Sequence, residues 1–187
     1  LSLAGDRPEI LFIEPASCAR PRFGLALDLG TTTIVGCLVD LATGAIVNTA
    51  STLNQQITYG EEVLTRIGYA KSADGMAVLQ KAATGSINAV IAAILHDEKI
   101  PREDIVCMTV GGNTVMNHLL CGIDPGYLDM ANAEVSRFPV IRKAPDLGLL
   151  LHPSAPVYCL PNVSRFIGGD AIGDVVVLER RDLRATP

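Results

Sequence analysis

The sequence predicts an α/β fold, a mixed sheet flanked by helices and built as one lobe. Three observations predict it. An apolar content of 49% is carried mostly by Val, Ile, Leu and Ala, while aromatics make up only 4%, a composition that suits helices packed on a sheet. Three strand-like runs joined by tight connections come early in the chain. Helical and strand-like patterns then alternate to its end. With 187 residues the chain can bury one core of ordinary size.

Residues 1–22, "LSLAGDRPEILFIEPASCARPR", hold one short strand candidate, "EILFI", between proline-containing segments. They read as a linker or entry strand, with a lobe over residues 23–187, and the start on leucine suggests an excerpt. "GLALDL" and "IVGCLV" are nearly continuous apolar runs, and "DLATG" turns the second into "AIVNTASTLN". These three strands form an antiparallel meander. Their side chains do not alternate cleanly, so helices are expected on both sheet faces. "GEEVLTRIGYA" starts a helix with Glu61 and Glu62 at its positive end and Val63, Leu64 and Ile67 on its apolar face. From Gly75 to His96, Met76, Leu79, Ala83, Ile87, Val90, Ile91 and Ile94 recur at three- and four-residue spacings, which predicts a long helix across the sheet. Thr84 and Gly85 weaken it where it is expected to cross another backbone. "IVCMTV" is a fourth strand, and "GGNTVMNHLLCG" turns at two glycines into a short helix capped by Asn113 and ended by Gly122. From Asp124 to Pro161 prolines punctuate the chain, with strand potential at "APVYCL". "IGGDAIGDVVVL" is a glycine turn leading into a helix from Asp170 to Leu178. Strand, strand, strand, helix, strand, helix, strand, helix is the order of an RNase H-like lobe. A doubly wound dinucleotide fold would place its glycine loop between a strand and a helix.

The net charge of -5, from 15 basic and 20 acidic residues with no basic run beyond "ERRDLR", argues against a nucleic-acid partner. No stretch approaches the about 18 uninterrupted apolar residues of a membrane span, and no leader pattern opens the chain, so no membrane association is expected. Cys18, Cys37, Cys107, Cys121 and Cys159 are widely spaced and odd in number, which suits reduced thiols in a cytoplasmic protein. Cys37 and Cys107 read as buried thiols. No cysteine cluster provides for zinc or iron and sulfur, and His96, His118 and His152 are too dispersed to form a local metal triad.

The bend "DLGTTT" is the first candidate for chemistry. It matches neither GxGxxG nor GxxxxGK[ST]. A hairpin of this kind brings Gly30 and the backbone amides of Thr31 and Thr32 close to phosphate oxygens, and Asp28 can hold magnesium directly or through water. The same residues also make an ordinary tight turn, because Asp and Gly favour turns and Thr favours strands. Asp170 is in the same position: it caps a helix or it positions a nucleophile, with Asp174 one turn later as a reserve. Asn54, Gln55, Gln56, Tyr59 and Gly60 either border a cleft or close a loop. Arg66 and Arg165 read as surface groups that could also reach phosphate.

Four phrases occur in order: "GLALDLGTTTIVGCLVDLATG", "TLNQQITYGEEVLTRI", "MTVGGNTVMNHLLCGIDP" and "LGLLLHPSAPVYCLPNVSRFIGGDAIGDVV". Together they make the chain similar to the ATP-dependent reductive activators of corrinoid proteins, within the superfamily of acetate and sugar kinases, chaperone ATPases and actin. The resemblance covers most of residues 23–178. It implies the first RNase H-like lobe of an actin-like, two-lobed ATPase, with ATP and Mg2+ as cofactors. It implies Asp28 as the metal residue, Gly30, Thr31 and Thr32 as the first phosphate motif, Gly111, Gly112 and Asn113 as a glycine turn facing the cleft, and Asp170 as the catalytic acid. The activity implied is ATP-driven one-electron reduction of a Co(II) corrinoid protein to Co(I). A [2Fe-2S] cluster belongs to a separate domain absent from this chain, the partner is a corrinoid protein, and the intact assembly is a homodimer. The second phosphate hairpin and the adenosine-binding region would follow Pro187, so the fragment alone is expected to be inactive. The alternatives are a metabolite kinase lobe of the same superfamily and a non-catalytic nucleotide-binding interaction domain.

Overall fold

Strand β1 (Phe23–Leu29) folds back as β2 (Thr33–Asp40) and again as β3 (Ile46–Leu53), the predicted meander, with Leu29 opposite Ile34 and Thr33 opposite Leu53. The computed structural model describes residues 10, 11, 13, 15 and 20–184, with side chains as far as Val176. The entry-strand candidate falls partly outside these residues, and Cys18 falls wholly outside. Two helices follow, α1 (Val63–Ala70) and α2 (Gly75–Glu98), then β4 (Ile105–Gly112) and α3 (Thr114–Cys121). A short antiparallel pair, β5 (Val140–Lys143) and β6 (Pro156–Cys159), leads to α4 (Gly169–Arg184). The sheet order is β3-β2-β1-β4-β6-β5, with β1, β4 and β6 parallel at its centre. This is the mixed sheet flanked by helices that the element order predicted. Strand β5 is an addition to it. Its four residues lie half-buried or exposed on a sheet edge, where no apolar alternation marks them.

The core lies between α2 and one face of the sheet. Leu25, Leu27 and Leu29 of β1 point to this side, as do Leu79, Ile87, Val90, Ile91 and Ile94 of α2, all buried. Each such side chain contributes about 1.5–3 kcal/mol relative to exposure. By length and hydropathy α2 could cross a membrane, but its buried stripe makes it a core helix here. The close approach of this helix to the sheet is not at Gly85, which has nothing near it among the described residues. It is at Gly36 of β2, where a Cβ would lie 2.7 Å from Val90 Cγ1. The strand, rather than the helix, leaves out the side chain.

Two further expectations are corrected. Helices were expected on both sheet faces; α4 reaches the second face at β4, yet Ala26 and Asp28 are exposed between the buried leucines of β1. Among the described residues that second face stays open over β1 and β2. In α1 the apolar face was expected to include Leu64, which is 54% exposed, while Arg66, read as a surface residue, is fully buried beside Ile67. Glu62 caps the helix through a reciprocal pair with Thr65, and Arg66 turns inward onto carbonyls and Gln56 that face it.

Asn113 caps α3 as predicted, accepting from Met116 N at 3.1 Å, and Gly122 ends it at φ 69°. Every residue of α3 is buried. His118 therefore sits neutral, its Nδ1 donating to Thr114 O at 2.7 Å and its Nε2 accepting from Tyr127 Oη at 2.8 Å. Burial lowers its pKa below the ordinary 6.5. The unfolded chain thus takes up a proton first, so the stability from His118 is complete above about pH 6.5 and is lost as pH falls toward the depressed folded value. Urea midpoints measured from pH 7 to pH 5 should fall, and His118→Gln should flatten that part of the profile.

Candidate functional site

The loop Gly30–Thr32 joins β1 to β2 and is fastened from behind by its carbonyls. Gly30 O accepts from Asn54 Nδ2 at 2.9 Å, Thr31 O from Arg66 Nη2 at 2.6 Å, and Thr32 O from Asn54 N at 2.8 Å. A trans peptide carries its N–H opposite its carbonyl. Pinning the Gly30 and Thr31 carbonyls inward therefore turns the Thr31 and Thr32 amides away from these anchors. Neither amide has a protein acceptor among the described residues. Thr31 Oγ1 accepts from Asn113 Nδ2 at 3.1 Å, which joins this loop to the cap of α3. A Cβ at Gly30 would lie within 2.4 Å of Thr33 O, so the turn requires glycine. Successive backbone amides left without a protein acceptor are the donors an anion can take.

Gly111 and Gly112 were expected to form a turn. They are instead the last residues of β4, paired with Asp28 and Leu29, and the chain turns only at Asn113. A Cβ at Gly112 would crowd Leu29 O at 2.9 Å, and the loop before α4 packs against this strand end through the missing side chain of Gly168. A Cβ at Gly168 would come within 2.3 Å of Gly112 O and 2.6 Å of Thr114 N, and one at Gly169 within 2.4 Å of Leu160 Cβ. Thr114 Oγ1 holds the same loop, 2.6 Å from Ser164 O and 3.1 Å from Ile167 O. This interlock seats the N-terminal end of α4 against β4.

Asp170 and Asp174 consequently line one cavity with Asp28, about 380 Å³ in volume, on the open sheet face beside Ala26, Val35 and Cys37. Burial raises the Asp28 pKa, and the charges of Asp170 and Asp174 raise it further. Asp170 Oδ1 accepts from Gly168 N at 3.2 Å and Ala171 N at 2.8 Å, so the capping interaction exists alongside its place in the cavity. No group of three His, Cys, Asp or Glu stands at metal-holding spacing among the described residues. A larger recess of about 600 Å³, lined by Glu134, Arg137, Arg165 and Phe166, contains Arg165 but neither Asp28, Asp170 nor any residue of the two glycine motifs.

The remaining candidates separate clearly. Arg165 donates to Leu128 O and Met130 O and lies over the Phe166 ring, within that larger recess. Gln55 N bonds Ser86 Oγ, and Tyr59 tilts against Tyr69, so both close the loop onto the helices. Asn54 and Gln56 are fully buried behind the hairpin with Arg66. Cys37 is half-buried and lines the cavity. Cys107 is half-buried, and burial pushes its thiol pKa up. The residues understated by sequence reasoning are Asn54 and Arg66. The only signal for Arg66 was its place beside Ile67 and one turn before Ala70, on what proves to be the inner face of α1.

The family described as the RACo middle region matches residues 23–181, a span that includes the hairpin, its anchors and both glycine pairs. The chain belongs to this family. The corrinoid activation enzyme RamQ of Eubacterium limosum is 29% identical over 171 residues, which are 90% of this chain and 29% of RamQ. The solved structure of a reductive activator for corrinoid, iron-sulfur protein matches with a TM-score of 0.81 at 36% identity, covering 86% of this chain and 26% of that one. The chain thus spans less than a third of either relative's length. The resemblance drawn from the four sequence phrases is borne out, and so is the fold class.

Proposed function

We propose that this chain is the first lobe of an ATP-dependent activator that reduces a Co(II) corrinoid protein to Co(I) by one electron. One observation carries the reading: Asp28, two residues before a loop whose carbonyls are pinned from behind, shares one cavity with Asp170 and Asp174. The Gly30–Thr32 loop binds phosphate through the Thr31 and Thr32 amides, and Asp28 holds Mg2+ directly or through water. A divalent cation suits this set, because it would relieve the repulsion that raises Asp28. Gly111, Gly112 and Asn113 shape the cleft wall. Asp170, oriented by Gly168 N and Ala171 N, positions the nucleophile. ATP hydrolysis supplies the free energy for the uphill electron. Residues 23–187 form the lobe, the opposite side of the nucleotide comes from the rest of a homodimeric cytoplasmic protein, and a separate domain carries the [2Fe-2S] cluster.

Asp28→Asn tests the metal role with little change in volume. In the full-length protein it should weaken Mg2+-dependent ATP binding about tenfold while leaving circular dichroism unchanged. Unchanged affinity at limiting Mg2+ would remove Asp28 from the site. Phosphorylation of an alcohol without any corrinoid protein would favour a metabolite kinase instead.

A further inference from the structure

Arg66 is buried with no carboxylate partner. Its Nε donates to Gly60 O at 2.8 Å, its Nη1 to Gln56 Oε1 and Met116 Sδ at 3.2 Å, and its Nη2 to Thr31 O at 2.6 Å. Every one of these acceptors is neutral, and no acid among the described residues pairs with it. Burial alone lowers its pKa, to about 10, so the guanidinium is charged at neutral pH. A buried charge without a counter-ion is costly, and arginines in such places are normally paired.

The position of the charge suggests what pairs it. Thr31 O and the Thr32 amide are the two ends of one peptide unit. A cation bound to the carbonyl polarises that unit and makes its N–H a stronger donor on the other side. The protein thus places an unbalanced positive charge one peptide behind two amides that take no protein acceptor among the described residues. Asn54 supports the adjoining peptide through Gly30 O, but as a neutral amide.

We propose that Arg66 is a positioning residue for anion recognition whose counter-ion is the phosphate of the bound ligand, acting through the Thr31–Thr32 peptide. This rests on the reading that the Gly30–Thr32 loop takes phosphate. Arg66 then does two things: it fixes the direction of the amides, and it makes the site discriminate by ligand charge. A purely structural arginine would do only the first.

The test is affinity against ligand charge, by calorimetric titration of the full-length protein with adenosine, ADP and ATP in saturating Mg2+. Arg66→Met should lower ATP affinity about tenfold or more and leave adenosine within about twofold, with Arg66→Lys recovering most of the loss. Gln56→Glu is the sharper variant, since it keeps Arg66 in place and offers it a carboxylate at the position of Gln56 Oε1. It should weaken ATP about tenfold relative to adenosine although no anchor to the loop has been removed. If Arg66→Met does not fold, Gln56→Glu decides. Equal losses for all three ligands, or wild-type ATP binding by Gln56→Glu, would overturn the role of Arg66 alone. Because Gln56→Glu also gives up the buried bond from Gln56 Nε2 to Leu79 O at 2.9 Å, Arg66→Lys decides if it does not fold, and a lysine variant that loses ATP and adenosine affinity alike would overturn the role too. A wild-type protein that binds ATP no better than adenosine would overturn the phosphate reading itself, a result distinguishable from the other three.

Discussion

Gly168→Ala should destabilise the protein by about 2–4 kcal/mol, a large effect for one methyl group. The added Cβ would meet three backbone atoms, Gly112 O, Thr114 N and Asn113 C, at 2.3, 2.6 and 2.7 Å. None of these can swing aside as a side chain would. Gly112 is paired with β1, and Asn113 and Thr114 begin α3. The segment before α4 must therefore move outward, which lengthens the Thr114 contacts to Ser164 O and Ile167 O and draws Asp170 away from Asp28. Urea unfolding of the full-length variant measures the stability change. Titration of Asp28 reads the displacement: its raised pKa should drop toward the ordinary carboxylate value as the charges of Asp170 and Asp174 recede. Wild-type stability with an unchanged Asp28 would show that the glycine contact is dispensable.

Asn54→Leu should cost about 3 kcal/mol or more, although it exchanges residues of similar size. Asn54 is fully buried, and its side chain donates to Gly30 O at 2.9 Å and Gln56 Oε1 at 3.2 Å while accepting from Gln56 N at 3.1 Å. Leucine leaves these partners inside the protein with no water to replace the amide. The Gly30 peptide would then be free to rotate, and the Thr31 amide would lose its fixed direction. Thermal unfolding of the variant checks the energetic part. Amide hydrogen exchange of residues 30–33 checks the other: faster exchange is expected there, with β4 unchanged. A melting temperature within error of wild type would mean that the loop holds its shape without Asn54.

Much of this arrangement could be read from local pattern. Helix α2 followed from apolar residues at three- and four-residue spacing, and Asn113 and Gly122 marked the ends of α3. The hairpin "DLGTTT" identified itself by a glycine between two apolar runs. Each of these signals lies within a few residues of what it specifies. The errors have the opposite character. Leu64 and Arg66 exchange the places expected of them because burial of α1 is decided by what faces it, and Arg66 finds Thr31, 35 positions away. Gly85 attracted notice as a weak point in a helix, while Gly36, in a run of strand residues, proved to be the point of contact. Strand β5 left no periodic trace because it is short and lies on an edge.

By itself, then, the sequence determined the order of elements, the mixed sheet, the caps and the identity of the first loop, together with the family that four phrases in order suggested. Tertiary structure alone decided that Gly168 seats on the backbone of Gly112 to Thr114, that three acids share one cavity, and that a buried arginine stands behind the loop. The physical reason is range. Caps, turns and amphipathic stripes depend on dihedral preferences and on neighbours three or four residues apart. The Thr31–Asn113 bond spans 82 positions, and the glycine contacts depend on empty space that no residue type announces.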